Sequence, residues 1–410
     1  MRKKNLILLG MTGALVLAAC GSSKKAATPT ATTTAGAATT AAGAATTAAA
    51  TATTAAAGGG TTLDTDLKSV CPAKIVFGTD WFPEAEHAIY ENLGTPYKID
   101  KNAGSVTGPL VSGGKDTGVQ IEIRLGGPAG ANKGSATADL YTEPDIFLGM
   151  VSTDEAVALS KDKPTVAVIA PQDKSPQILL WDPASHTGKT IAEVAKEVDK
   201  VQYFSGGSYM DFFLATGVVT KAQADGSYQG GFDTFVANPK KTMQQGFATA
   251  EPYQLENNVA QWKKPVAFQL IHDTGWNLYP EAWAMRPELL AKPETKACLK
   301  KLVPILQQGQ IDIIKDPTAA VKAIIDANTT YDTFWKYDDG VAKYSIAKQK
   351  ELGIVGNGTG AGLGSFDMAR VDSFIAKATP IFVSTGKTPK AGLKASDIVT
   401  NEFINPNIKL

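Results

Sequence analysis

Short apolar runs alternate with amphipathic stretches through the middle of the chain. "KIVFG" (74–78), "VQIEIRLG" (119–126), "DIFLGM" (145–150) and "TVAVIAP" (165–171) read as strands. "TDEAVALSK" (153–161) and "TIAEVAKEV" (190–198) place apolar residues at three- and four-residue spacing and read as helices. "PELLAKPETKACLKKLVPILQQGQ" (287–310) reads as a further helix, with Pro304 expected to bend or end it. Strand–helix alternation of this kind predicts α/β layers with largely parallel strands. Ordered sequence starts near Leu67, and the 340-odd residues that follow suffice for two lobes.

The first residues follow a different pattern. "MRKKNLILLGMTGALVLAAC" has three basic residues, an apolar segment and then small residues, the pattern of a secretory signal. Residues 26–62 contain only Ala, Thr, Gly and the single Pro29. Such a stretch has no large apolar side chain whose burial offsets ordering entropy, so a flexible tether is expected, with a reach on the order of 120 Å. Of 40 Lys and Arg, the signal takes Arg2, Lys3 and Lys4, leaving 37 against 40 Asp and Glu. That slightly acidic balance, without a basic stripe, argues against nucleic acid as a partner. Two cysteines remain beyond residue 20. Export permits a disulfide between Cys71 and Cys298, and two buried free thiols are the alternative.

Four stretches carry candidate chemistry. In "TDWFPEAEHAIY" (79–90), Asp80, Trp81 and Phe82 fall on a strand-to-helix turn, where open α/β sheets bind ligands. Pro83 suits the first turn of the helix expected there, with Glu84 and Glu86 at its positive end and His87 about one turn in. The alternative is a core Trp81 and a surface His87. "FSGGSYMDFF" (204–213) offers backbone amides before Ser208 and Tyr209, or else a plain loop with a Ser N-cap. In "GFATAEPYQLENNV" (246–259), the following proline is expected to hold Glu251 out of the helix, extended and facing a cleft. "HDTGWNLYPEAWA" (272–284) brings Trp276, Tyr279 and Trp283 together, as cleft walls or as core. "GNGTGAGLG" (356–364) lacks a Walker lysine and reads as a loop. No H-E-x-x-H, C-x-x-C pair or G-x-S-x-G occurs, and the three histidines lie far apart. No metal and no cofactor are therefore expected.

At these stretches the chain resembles the substrate-binding proteins of ABC importers, in the thiamine-pyrimidine, nitrate, sulfonate and riboflavin group. "TDWFPEAEH" is similar to that family's first-strand motif, "DIFLGMVSTDEAV" to its strand–helix segment and "APQDKSPQILL" to its first interlobe crossing. "GFATAEPY" and "HDTGWNLYP" resemble the late second-lobe segment and the return crossing, and "GLGSFDMARV" a C-terminal helix start. "LAAC" (17–20) before Gly21 resembles a bacterial lipobox, which implies cleavage before Cys20 and its lipidation. Two departures stand out: "HAIY" replaces a glycine after the histidine, and 95–118 looks like an insertion.

The resemblance implies an α/β, two-lobed type II periplasmic-binding-protein fold with two interlobe crossings. Residues 1–19 would be the signal peptide and 20–66 the lipidated tether. Lobe one would comprise 67–171 plus 275–410, and lobe two 172–274. Asp80, Trp81, His87, Ser208, Tyr209, Glu251, Trp276, Tyr279 and Trp283 would surround the ligand. The expected protein is a non-enzymatic monomer on the extracytoplasmic face of the membrane, held by its lipid. It would pass a planar heterocycle of the thiamine-pyrimidine or flavin type to ABC permease subunits. Binding of nitrate, sulfonate or taurine-like anions is the main alternative. A pyrimidine synthase-like enzyme is a weaker one, because the chain lacks that enzyme's cysteine-rich iron-binding segment.

Overall fold

The computed structural model describes residues 63–131 and 134–410. The signal segment, Cys20 and the tether up to residue 62 lie outside the described residues.

Twelve strands occur among the described residues. They are β1 (Lys74–Gly78), β2 (Lys98–Asp100), β3 (Ser105–Ser112), β4 (Lys115–Arg124), β5 (Ile146–Val151), β6 (Val166–Ile169), β7 (Gln177–Trp181), β8 (Lys200–Gln202), β9 (Ala224–Asp225), β10 (Thr242–Phe247), β11 (Ala267–Leu270) and β12 (Ala282–Met285). They form two sheets, in the orders β2-β3-β4-β1-β5-β12-β6 and β11-β7-β10-β8-β9. The chain leaves the first sheet between β6 and β7 and returns between β11 and β12, so two crossings join two α/β layers.

The apolar runs predicted as strands are strands, and most of their apolar side chains are buried. β1 leaves only Lys74 exposed, and β6 is buried throughout. The sheets are mixed rather than largely parallel. β1 runs parallel to β4 and β5, but β12 is antiparallel to both its neighbours. The insertion-like stretch 95–118 supplies β2, β3 and the start of β4, an antiparallel meander on the sheet edge. Its glycines turn it: Gly113 and Gly114, both with positive φ, join β3 to β4.

Proline positions correct two helix expectations. The segment 287–310 is two helices, Pro287–Leu290 and Pro293–Lys315, and the break falls before Pro293. Pro293 starts the second helix, where a missing amide costs nothing, whereas Pro304 lies buried inside it and the helix continues. "TIAEVAKEV" shrinks to the short helix Ile191–Val194, closed by a Thr190–Glu193 capping box.

One core packs the outer helices Pro293–Lys315, Thr318–Tyr331 and Asp339–Glu351 against the first sheet. A second core runs without a break from Val76 and Ile146 through Trp276, Leu278 and Phe374 to Leu179 and Val201 of the second sheet. The helix Met368–Ser384 serves both layers there. Cys71 and Cys298 are joined by a disulfide that fastens the start of the described chain to the helix Pro293–Lys315. Among the described residues, no helix is long and apolar enough to cross a membrane.

Candidate functional site

The site begins where β1 ends. Thr79 donates its amide to the Arg124 carbonyl of β4, and its hydroxyl closes the turn onto the Trp81 carbonyl at 2.9 Å. A second loop presses on this turn. A Cβ at Gly126 would meet the Thr79 oxygen at 1.9 Å, and one at Gly127 the Asp80 oxygen at 2.4 Å. Gly127 also has φ +55°, so glycine is required on both counts. From the other side, Asn328 donates to the Pro83 carbonyl, Tyr337 accepts the Ala85 amide and Gln349 donates to the Ala85 carbonyl.

The turn is therefore not the start of an α-helix. Residues 79–87 are irregular, and only a short 3-10 helix, Ala88–Asn92, follows. Glu84 and Glu86 consequently have no helix N-terminus to neutralise them, contrary to the sequence expectation. His87 is fully buried, with Nε2 at 3.1 Å from Asp80 Oδ1 and 3.8 Å from Glu84 Oε1.

The return crossing brings Glu281 to the same place. Glu281 is 6% exposed, has φ +47° and immediately precedes β12. Gln172, on the outgoing crossing, donates Nε2 to Glu281 Oε2 at 2.7 Å. One ligand atom each from Asp80, His87 and Glu281 lies within 4.8 Å of the other two. The second layer contributes Glu251, which accepts the Phe247 amide at 2.6 Å. Glu251 is the first residue of the helix Glu251–Asn257, not extended as its following proline suggested, because Pro252 is tolerated in a first turn.

Among the described residues no lysine or arginine pairs with Asp80, Glu84, Glu86, Glu251 or Glu281. Burial, reinforced by the charges of Asp80 and Glu86, raises the Glu281 carboxyl well above the ordinary range. Burial and then the Glu86, Glu281, Asp80 and Glu251 charges do the same to Glu84. Burial pushes Glu251 up to about 7 against the Phe247 hydrogen bond. Burial raises Glu86 as well.

A cavity of about 440 Å³ opens beside this group. Asp80, Asp154, Glu155, Ser208, Glu281 and Lys387 are among the residues that line it. Ser208 donates to Asp154 and accepts from Trp276 Nε1, which fixes its hydroxyl; the helix there is capped by Gly207 rather than by Ser208. Tyr209 lines the cavity with its phenol tied to Gln245.

Asp80, Ser208 and Tyr209 thus meet at one cavity, with His87 and Glu251 behind it. Trp81 is half-buried and meets Phe82, Phe204, Phe334 and Trp335 edge to face. Phe204 comes from beyond β8, so this aromatic group reaches across the two layers. Trp276, Tyr279 and Trp283 are buried and do not line the cavity. Trp276 stacks on Phe212, Trp283 packs on Phe77, and Tyr279 lies under the Arg370 guanidinium. Sequence reasoning missed Glu281 and Gln172. The available signal was an acid lodged in the apolar run "NLYPEAWAM".

No family model matches the chain, and no curated protein matches it. Solved structures do. One from Bordetella bronchiseptica RB50 is 15% identical, covers 81% of this chain and 96% of its own, and has a TM-score of 0.50. The periplasmic nitrate-binding protein NrtA from Synechocystis PCC 6803 is 12% identical over 81% of this chain and 87% of its own, at 0.45. A putative periplasmic sulfonate-binding protein, SsuA from Methylobacillus flagellatus KT, is 12% identical over 80% and 92%, at 0.43. The fold of the chain is the two-lobed α/β fold of periplasmic binding proteins.

Proposed function

We propose that the chain is the solute-binding protein of an ABC importer, working outside the cytoplasm. Lobe one comprises residues 67–171 and 275–410 and lobe two 172–274, joined to the membrane by the 20–66 tether and a lipid on Cys20. The protein binds its solute as a monomer and hands it to permease subunits; it performs no chemistry on it. The observation that carries this reading is the cavity between the two layers, beside both crossings, where hinge closure traps a ligand. The Cys71–Cys298 disulfide suits an oxidising compartment.

The lining selects among ligands. Asp80, Asp154, Glu155 and Glu281 face the cavity, against one lysine, Lys387, which is itself paired with Asp211. Nitrate or a sulfonate would meet like charge with no arginine to hold it. A flat heterocycle carrying N–H donors, of the aminopyrimidine or flavin type, supplies what these carboxylates accept. Asp80, Ser208 and Tyr209 contact it, with His87 and Glu251 behind them and Trp81 at the aromatic edge. Trp276, Tyr279 and Trp283 hold the return crossing in shape.

Calorimetric titration of the purified chain with aminopyrimidines, flavins, alkyl sulfonates and nitrate tests this. Micromolar or tighter binding of a heterocycle, weakened at least tenfold by Asp80→Asn, is expected. Tight binding of sulfonate or nitrate alone would overturn the ligand class.

A further inference from the structure

We propose that Asp80, His87 and Glu281 form a binding site for a divalent transition-metal ion on the floor of the interlobe cavity. The proposal stands on these side chains and does not depend on the transport reading.

The donor set comes first. One imidazole nitrogen and two carboxylate oxygens lie within 4.8 Å of one another, with His87 Nε2 already 3.1 Å from Asp80 Oδ1. A mixed set of nitrogen and oxygen donors suits zinc, cobalt and their neighbours better than calcium or magnesium, which take oxygen alone. Three protein ligands leave coordination positions open. Asp80 and Glu281 both line the cavity, so those positions face it.

A second observation also points to a cation. Gln172 is fully buried and held against Glu281 by its Nε2, yet its Oε1 has no partner. Glu86 is 3% exposed, and its Oε2 is likewise unpartnered. Buried acceptors normally find donors, and buried charges are normally paired or bound to metal. No lysine or arginine among the described residues supplies that here. A dication bound to Asp80, His87 and Glu281 supplies that charge, and Gln172, already bonded to Glu281, stands beside it.

The test uses the untagged mature chain, stripped with a chelator and titrated with Co²⁺ and Zn²⁺ by calorimetry. Co²⁺ is also followed by its visible absorption. One ion per chain at a Kd of a few micromolar or lower is expected, with new visible bands. Asp80→Asn and Glu281→Gln keep side-chain shape, and Gln172 still finds an acceptor at position 281. Each should weaken binding ten- to a hundredfold. Glu288→Gln, an exposed acid outside the site, should leave it unchanged. Absence of stoichiometric binding would overturn the proposal, and so would binding kept within twofold in both site variants. Tighter binding of Ca²⁺ or Mg²⁺ than of Zn²⁺ would overturn the choice of metal class.

Discussion

β4 and β1 are neighbouring parallel strands, and Gly78 and Arg124 are partners in register. At each strand end lies a group of carboxylates. At β4, Arg124 reaches Glu122, Glu143 and Asp145 at 2.8, 2.9 and 2.7 Å, and Lys74 also holds Glu122. At β1, Asp80, Glu84 and Glu86 gather with Glu281 and Glu251, and His87 stands among them. The electrostatic outcomes are opposite. Burial alone would raise Glu122, but its bonds from Lys74 and Arg124 outweigh that and hold it below the ordinary range. The hydrogen bond from Arg124 lowers Asp145. Glu84, Glu86, Glu251 and Glu281 all shift upward. The same residue types, a strand apart, are a structural clamp in one place and an uncompensated demand for positive charge in the other. Carboxylates that serve only stability have no reason to be left in the second state.

Removing the clamp's cation should produce the largest effect. Arg124→Met leaves Glu122, with 11% of its side chain exposed, to share only Lys74. A loss of about 3 kcal/mol in urea unfolding at pH 7 is expected, since breaking a largely buried pair strands its partner. Asp145 is 58% exposed and adds little to that figure. A loss under about 1 kcal/mol would mean that the two groups do not differ as described.

The two groups should also tilt stability with pH in opposite directions. Glu251 titrates near 7 in the folded state, above the ordinary 4.5. Between those values the folded chain holds the extra proton, so this contribution is complete below about pH 4.5 and is lost as pH rises through 7. Glu122 and Asp145 are shifted downward, so their contribution is present above the ordinary carboxylate range and is lost on acidification. Glu251→Gln should therefore flatten the fall in stability between pH 5 and 8 by on the order of 2 kcal/mol. Denaturant midpoints across that range check this in the metal-free chain. Parallel curves for variant and parent would contradict the shift assigned to Glu251.

Much of the first layer was legible in the sequence because its strands are buried runs bounded by turns. "KIVFG" is β1 residue for residue, and "DIFLGM" misses β5 by one position. Strand direction was not legible: an edge meander and the antiparallel β12 depend on pairing partners far apart in the chain. The same limit governs the site. Asp80 and His87 sit in one motif and could be found together. Glu281 joins them only because the return crossing passes the end of β1, some 200 residues later. Aromatic density misdirected the reading at Trp276, Tyr279 and Trp283, since a crossing that threads both layers needs buried rings to anchor it.

The smallest effect separates the two accounts of how the acidic floor is neutralised. Among the described residues Glu86 makes no ion pair, and its charge raises Glu281, Glu84 and Glu251. Glu86→Gln keeps the shape and removes the charge, so in the metal-free chain at pH 7.5 it should raise the urea midpoint. A cation on Asp80, His87 and Glu281 would compensate that charge in the parent. The gain should then shrink toward zero in saturating Co²⁺, because the parent has more carboxylate charge for the ion to offset. Urea unfolding of both chains, with chelator and with Co²⁺, gives the four midpoints required. A gain that is the same in both conditions would show that protons rather than a metal balance these carboxylates, even where the ion binds elsewhere.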